Sequence, residues 1–177
     1  MSQEIEQRYF GKYRGTVMNN IDPEGVGRLL VTVPDVIGPG VPSSWAVPCV
    51  PLAGPTGPPM GVYLVPPIGA GVWVEFERGD PNYPIWVGCR WGARSDVPPA
   101  VLLGLPISPS IVLQTAGQNS IAISDLPGPT GGIMLKSTTG ASIIVNDTGI
   151  YITNGKGAMI TMVGPSVDIN TGAMTII

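Results

Sequence analysis

Short apolar runs, each closed by glycine, proline, asparagine or aspartate, set the pattern of this chain. The first half holds five of them. Residues 13–18 form the first, and a stretch rich in Asn, Asp, Pro and Gly at 19–25 turns the chain. Residues 27–33 form the second run, which stops at Pro34, and residues 44–50 form the third. Residues 71–77 form the fourth, with apolar and acidic positions alternating at its end, as in a half-buried strand. A turn at 78–82 leads to the fifth run at 84–91, and a long Gly/Pro loop at 51–61 separates the third from the fourth. Five strands in so short a span suit a small closed barrel, and an OB-like barrel is the simplest five-stranded solution.

The second half repeats itself. Glycines at 140, 149, 157, 164 and 172 are spaced 9, 8, 7 and 8 apart. Apolar pairs two residues apart accompany them: Ile133/Leu135, Ile143/Val145, Ile150/Ile152, Ile160/Met162, Val167/Ile169 and Met174/Ile176. Weaker copies stand upstream at Ile111/Leu113 and Ile121/Ile123. A period near eight is too short for helical or propeller repeats. It fits one short strand and one tight turn, with each pair on one face and glycine at the corner. Two inward side chains per strand cannot enclose a core within one chain. Three chains wound together close a prism, which favours an intertwined trimer over a solitary solenoid. The expected trimer core is therefore Ile133, Leu135, Ile143, Val145, Ile150, Ile152, Ile160, Met162, Val167 and Ile169.

Composition strengthens the all-β reading. Val and Ile together number 37 of 177 residues against 10 Leu, and β-branched residues favour pleated surfaces. Gly and Pro number 25 and 20, a share that alone would suggest disorder, but 44% hydrophobic and 12% charged residues leave ample surface to bury. Charge is uneven: residues 1–96 carry 16 of the 21 charged side chains. Between the halves, Pro98, Pro99, Pro106 and Pro109 forbid a regular helix or central strand, which predicts an extended apolar connector.

Composition also excludes chemistry. No histidine exists for a triad, a metal ligand or imidazole catalysis. A net charge of −3 and a pI near 4.7 are the wrong sign for a phosphate-binding surface. No apolar run is long enough to span a bilayer, and the first residues lack the apolar core of a signal peptide. Cys49 and Cys89, in apolar stretches, read as two buried free thiols. Glu75, Glu77 and Asp80 could imitate a glycosidase carboxylate pair but read as a solvated strand face. Gly69-Ala-Gly71 precedes a strand rather than a helix, so it is no dinucleotide cradle. Asn146-Asp-Thr148 reads as a turn rather than a glycosylation site. Trp45, Trp73 and Trp86 are expected in the barrel or its trimer contact. Met159, Met162 and Met174 are expected to fill gaps on the inner face of the prism rather than bind soft metals.

An ordered series of strings carries a resemblance: Tyr13-Arg-Gly-Thr-Val17, Asp22-Pro-Glu-Gly-Val-Gly-Arg-Leu29, Val33-Pro34, Ser44-Trp-Ala46, Gly69-Ala-Gly-Val-Trp-Val-Glu-Phe76 and Gly79-Asp-Pro-Asn-Tyr-Pro-Ile-Trp-Val-Gly88. This succession resembles the OB-fold domain of the central spike family of contractile injection machines. That family includes the baseplate assembly protein V of phages, the VgrG spikes of type VI secretion, and the spikes of tailocins and extracellular injection particles. The octad-like tail resembles the family's triple-stranded β-helix. The resemblance implies an all-β chain, with a five-stranded OB-fold barrel followed by a short intertwined trimeric β-helix. Its expected layout is a collar at 1–95 with a short N-terminal extension, a Pro-rich connector at 96–110 and a needle at 111–177.

The implied function is structural and non-enzymatic: a homotrimeric spike that docks on a separate hub protein and pierces a target envelope, touching the target membrane transiently. No catalytic residue, cofactor or metal site is expected, because lysozyme insertions and His-ligated iron tips of some relatives have no counterpart here. The apolar end, Met174, Ile176 and Ile177, is the expected contact for a small PAAR-like tip protein. Assembly in the bacterial cytoplasm and incorporation into a virion or a secreted phage-like particle follow from the same resemblance. Two other classes stay open: a trimeric receptor-binding fibre segment and an OB-fold nucleic-acid binder. The acidic balance argues against nucleic acid as a partner.

Overall fold

The computed structural model describes residues 7–54, 57–102, 108 and 110–176. The chain divides into two compact units, Met1–Gly92 and Ala93–Ile177. It is almost wholly β.

The first unit contains β1 (Tyr13–Asn19), β2 (Leu30–Thr32), β3 (Val47–Pro48), β4 (Ala53–Gly54), β5 (Met60–Gly61), β6 (Gly71–Phe76) and β7 (Pro84–Arg90). Five strands form a curled sheet in the order β2-β1-β6-β7-β3, while β4 and β5 make a separate hairpin. The sheet is antiparallel except for β3, which runs parallel to β7. Its two ends approach each other. Leu29, just before β2, and Ala46, just before β3, exchange backbone hydrogen bonds of 3.0 and 2.8 Å. Curling the sheet in this way covers edges that would otherwise recruit foreign strands. The expected second and third strands are shorter here than their apolar runs, because these bridges replace regular pairing at 29 and 46.

Alternation along β6 explains the core: Val72, Val74 and Phe76 point inward, and Val17, Leu29, Val31, Val33, Ala46 and Trp86 meet them. Trp86 alone among the tryptophans belongs to this core, and its Nε1–H donates to the Gly27 carbonyl at 3.0 Å. Trp45 and Trp73 are half-buried, and the Arg28 guanidinium stacks over Trp45 with 5.5 Å to the ring centre. Trp91 is exposed. Both cysteines are free but exposed, contrary to expectation. Cys49 follows the end of β3 and Cys89 is next to last in β7, so both lie beyond the cluster of inward side chains.

Asp22 organises the first turn. Its carboxylate accepts from the backbone N–H of Glu24, Val26 and Arg28, and from Arg28 Nε and Nη2 at 2.9 and 2.7 Å. These donors favour the ionised form and hold its pKa well below the ordinary carboxylate range, with the Arg28 side chain the largest cause. Folding therefore gains from ionised Asp22. That contribution is complete above the unfolded carboxylate pKa, about 4, and is lost as pH falls below it. Asp22→Asn is expected to lower the melting temperature at neutral pH and to flatten its acid dependence. Thermal melts of both proteins across acid and neutral pH check this.

The second unit begins with a 3-10 turn at Arg94–Asp96 and then a single helical turn, α1 (Pro99–Leu102), where an extended connector was expected. Proline is excluded from a helix interior but not from its first turn, where its missing N–H has no partner to lose. Residues 103–107 and 109 of the connector lie outside the described residues. There follow β8 (Ile111–Gln114), β9 (Ser120–Ser124), β10 (Gly132–Lys136), β11 (Ser142–Asn146), β12 (Gly149–Thr153), β13 (Met159–Val163), β14 (Ser166–Ile169) and β15 (Met174–Ile176). They form one sheet in strict chain order, β8 to β15, antiparallel throughout. Where a trimeric β-helix is expected, one chain supplies an antiparallel meander whose strands pair with their chain neighbours.

Candidate trimerisation face

Side chains of the tight turns set the register of this meander. Asn146 Oδ1 accepts from Thr148 N–H and Oγ1–H and from Gly149 N–H, closing the β11–β12 hairpin. The sequon is thus a turn, as its residues predicted. Asn154 Oδ1 accepts from Lys156 and Ala158 N–H in the next hairpin. Asn170 and Thr171 adopt positive φ beside Gly172, and Asn170 Oδ1 reaches back to Met159 N–H at 2.9 Å. Such side chains offer the backbone a fixed alternative to the ladder, and so place the corners.

The corner glycines are not equivalent. Gly149 has φ +155°, and a Cβ there would lie 2.4 Å from the Met162 carbonyl oxygen on the neighbouring strand. Gly157 also has positive φ, +106°, but faces open space. Gly157→Ala carries only backbone strain, of order 1 kcal/mol. Gly149→Ala must also push β12 away from β13, and is expected to cost clearly more. Thermal melts of the two variants at equal concentration check the order.

The antiparallel register aligns the apolar pairs into two rows that cross all eight strands. One row reads Ile111, Ile123, Ile133, Val145, Ile150, Met162, Val167, Ile176. The other reads Leu113, Ile121, Leu135, Ile143, Ile152, Ile160, Ile169, Met174. Members of a pair are two residues apart, so both rows occupy the same face. All ten residues expected at the trimer core fall in these rows. The four upstream residues fall in them too, which extends the face through β8 and β9. Met162 and Met174 are row members. Met159 is not: it lies one residue from Ile160 and therefore on the other face, correcting its assignment to the inner side. Of the expected tip residues, Ile177 lies outside the described residues, and Met174 is exposed at the edge strand β15.

The opposite face carries Val112, Ala122, Met134 and Ile144 on β8–β11, then Tyr151, Thr161 and Asp168 on β12–β14. Gln114, Ser120, Lys136, Ser142, Thr153 and Met159 share that face, so it is mixed in character along its whole length. The two-row face contains no charged or hydrogen-bonding side chain. Yet Ile133, Leu135, Ile143 and Val145 are 41–48% exposed, and Ile111 is 65% exposed. Every buried hydrophobic side chain among the described residues belongs to the first unit. Fully burying one such side chain is worth about 1.5–3 kcal/mol, so an uncovered double row forgoes most of the stabilisation available to this unit. A contiguous apolar face of this size marks an interface.

Comparison with protein families decides which kind. Residues 110–175 match the phage baseplate V C-terminal trimerisation domain. Residues 13–91 match the type VI secretion system/phage-baseplate injector OB domain. The chain thus carries both an OB domain and a trimerisation domain of the phage baseplate V type. Its architecture is therefore that of a baseplate spike: an OB domain followed by a unit that supports homotrimer formation. Both families are structural components of baseplates, and the chain has a spike-type structural role in a phage or type VI-like assembly. No curated protein matches the chain.

Two of the three carboxylates weighed for chemistry, Glu75 and Asp80, are engaged structurally in this spike chain. Glu75 pairs with Lys12. Glu77 lies in a 3-10 turn just past β6 rather than in the strand, and its carbonyl accepts the Asp80 N–H. Asp80 accepts from the backbone and side chain of Asn82 at 2.9 and 3.0 Å and faces Arg8 at 3.8 Å. Among the described residues no cluster of Cys, Asp or Glu could hold a metal ion. No helix among them is long and apolar enough to cross a membrane.

Proposed function

We propose that three copies bring their two-row faces together around one axis and form the needle of a contractile injection machine's spike. The observation that carries this reading is the register: sixteen positions of eight strands fall in two apolar rows on one face. Within each sheet the strands already pair with one another, so the three copies meet through side chains, each sheet forming one wall of a prism. Ile133, Leu135, Ile143, Val145, Ile150, Ile152, Ile160, Met162, Val167 and Ile169 form its core. Three walls with dense internal hydrogen bonding and a dry interior resist the buckling that an axial push imposes.

In this reading the first unit is the collar and docks on a separate trimeric hub. The protein is not an enzyme: sheath contraction, driven elsewhere, presses the needle on the target envelope. Residues 174–177 at its end receive a small PAAR-like tip protein, which covers the apolar patch that three copies place there. The chain is assembled in the bacterial cytoplasm and then becomes part of a phage-like particle.

A map of the assembled particle tests the reading. The expected result is threefold density below the hub, with the two rows facing inward and residues 174–177 covered. Location of the chain in a peripheral fibre, or rows that face solvent, would overturn it.

A further inference from the structure

The first unit carries an apolar surface that its own core does not use. All 16 charged side chains of residues 1–96 lie at 4–35 or 75–96, and the 39 residues from Val36 to Val74 hold no Asp, Glu, Lys or Arg. The middle of this stretch is an arm between β3 and β6. Its hairpin pairs Ala53 with Gly61 and Gly54 with Met60, and Val62 N–H donates to the Leu52 carbonyl at 3.0 Å. Strand alternation therefore sets Leu52, Met60 and Val62 on one face. They are 46, 61 and 39% exposed, and Tyr63 and Leu64 beyond them are 69 and 64% exposed. The arm is fastened to the barrel at its return: Asn20 Nδ2 donates to the Pro66 carbonyl at 3.0 Å, and Gly69 N–H to the Val17 carbonyl at 2.8 Å. Pro58, Pro59, Pro66 and Pro67 stiffen it further. Five large apolar side chains held out on an uncharged, anchored arm form a contact surface rather than a solvated loop.

We infer that this arm docks on the first unit of a second copy of the same chain. The inference rests on the trimer formed by the second unit. Residues 93–110, which run from the end of the first unit to β8, span at most about 65 Å even when fully extended. Three first units tethered so closely see one another at an effective concentration in the millimolar range, where a modest apolar contact suffices. The arm also offers no charge for a nucleic acid or a charged protein to read. In a threefold ring the contact is heterologous, so the arm of each protomer meets a different surface on the next, and the ring closes.

The test uses the full chain with a photo-crosslinking residue at Tyr63. A second protein carries it at Asp35, an exposed position in the charged part of the same unit. Sedimentation first establishes the oligomer. On irradiation, Tyr63 is expected to give covalent dimers and trimers of the chain in yields well above those from Asp35, because both probes see the same local concentration and only the arm is held against the neighbouring copy. Adding Val62→Asp to the Tyr63 protein is expected to abolish that excess while the trimer persists. A trimer in which Tyr63 forms no link between copies, or links only to a different baseplate protein in assembled particles, overturns the arm contact alone. A wild-type monomer overturns the trimer on which it rests.

Discussion

Ile160→Asp is expected to abolish trimerisation and, with it, the folding of the second unit. Ile160 sits in the middle of one apolar row, with Ile152 and Ile169 as its cross-strand neighbours. Three copies would bring three carboxylates into a dry interior. Each faces an effective desolvation penalty of several kcal/mol, and their mutual repulsion adds to it. The second unit has no buried hydrophobic core of its own among the described residues, so the loss of assembly is a loss of fold rather than a release of stable monomers. The control must sit one residue away on the other face. Thr161 qualifies, but its register partner is Asp168, and like charges directly across a strand pair repel. Thr161→Lys is the better choice, since it places a cation opposite Asp168. It is expected to leave the trimer intact and to change stability by no more than about 0.5 kcal/mol. Sedimentation and circular dichroism of the two variants decide. A trimer that survives Ile160→Asp, or one lost to Thr161→Lys, contradicts an inward-facing double row.

Trp86→Ala is expected to have the largest effect on the first unit. Trp86 is 5% exposed and packs in the cluster with Leu29, Val72 and Val74, and its Nε1–H satisfies the Gly27 carbonyl. Truncation removes the ring, leaves a cavity and deprives that carbonyl of its donor. Truncating a buried aromatic costs about 3–5 kcal/mol, which is a large share of the stability of a small domain. Trp91→Ala, by contrast, removes an exposed ring and is expected to stay within about 0.5 kcal/mol of wild type. The two units give the experiment an internal check. Unfolding of the second unit is coupled to association, so its midpoint rises with protein concentration. Trp86→Ala should move the concentration-independent transition. Equal effects of the two tryptophan substitutions on that transition would contradict the packing described here.

The repeat in the second half was legible because it is local. A strand alternates faces every residue, so Ile133/Leu135 or Ile160/Met162 declare a shared face without any knowledge of partners. Glycine and asparagine likewise mark corners by their own backbone freedom and hydrogen-bonding reach. The five strands of the barrel were legible for the same reason, and the ordered strings from Tyr13 to Gly88 pointed to the family. Composition alone, with no histidine and few charges, set aside most catalytic chemistry.

Other features depend on residues that meet only after folding. Cys49 and Cys89 sit in apolar strings, yet strand ends that overrun the core leave both exposed. Sequence context could not separate Trp86 from Trp45 and Trp73, because burial depends on where the sheet curls and which strands converge. Met159 looked like a third inner methionine until the pairing of β12 with β13 fixed its parity against Ile160. The α1 turn was hidden by its prolines, which forbid a helix interior but not a helix start. Most consequential is register. The sequence by itself determined that each strand carries two apolar side chains on one face. Only hydrogen bonding between strands 4.7–4.9 Å apart determined that these pairs line up into two continuous rows. A slip of one residue in any strand would have turned its pair outward and broken them.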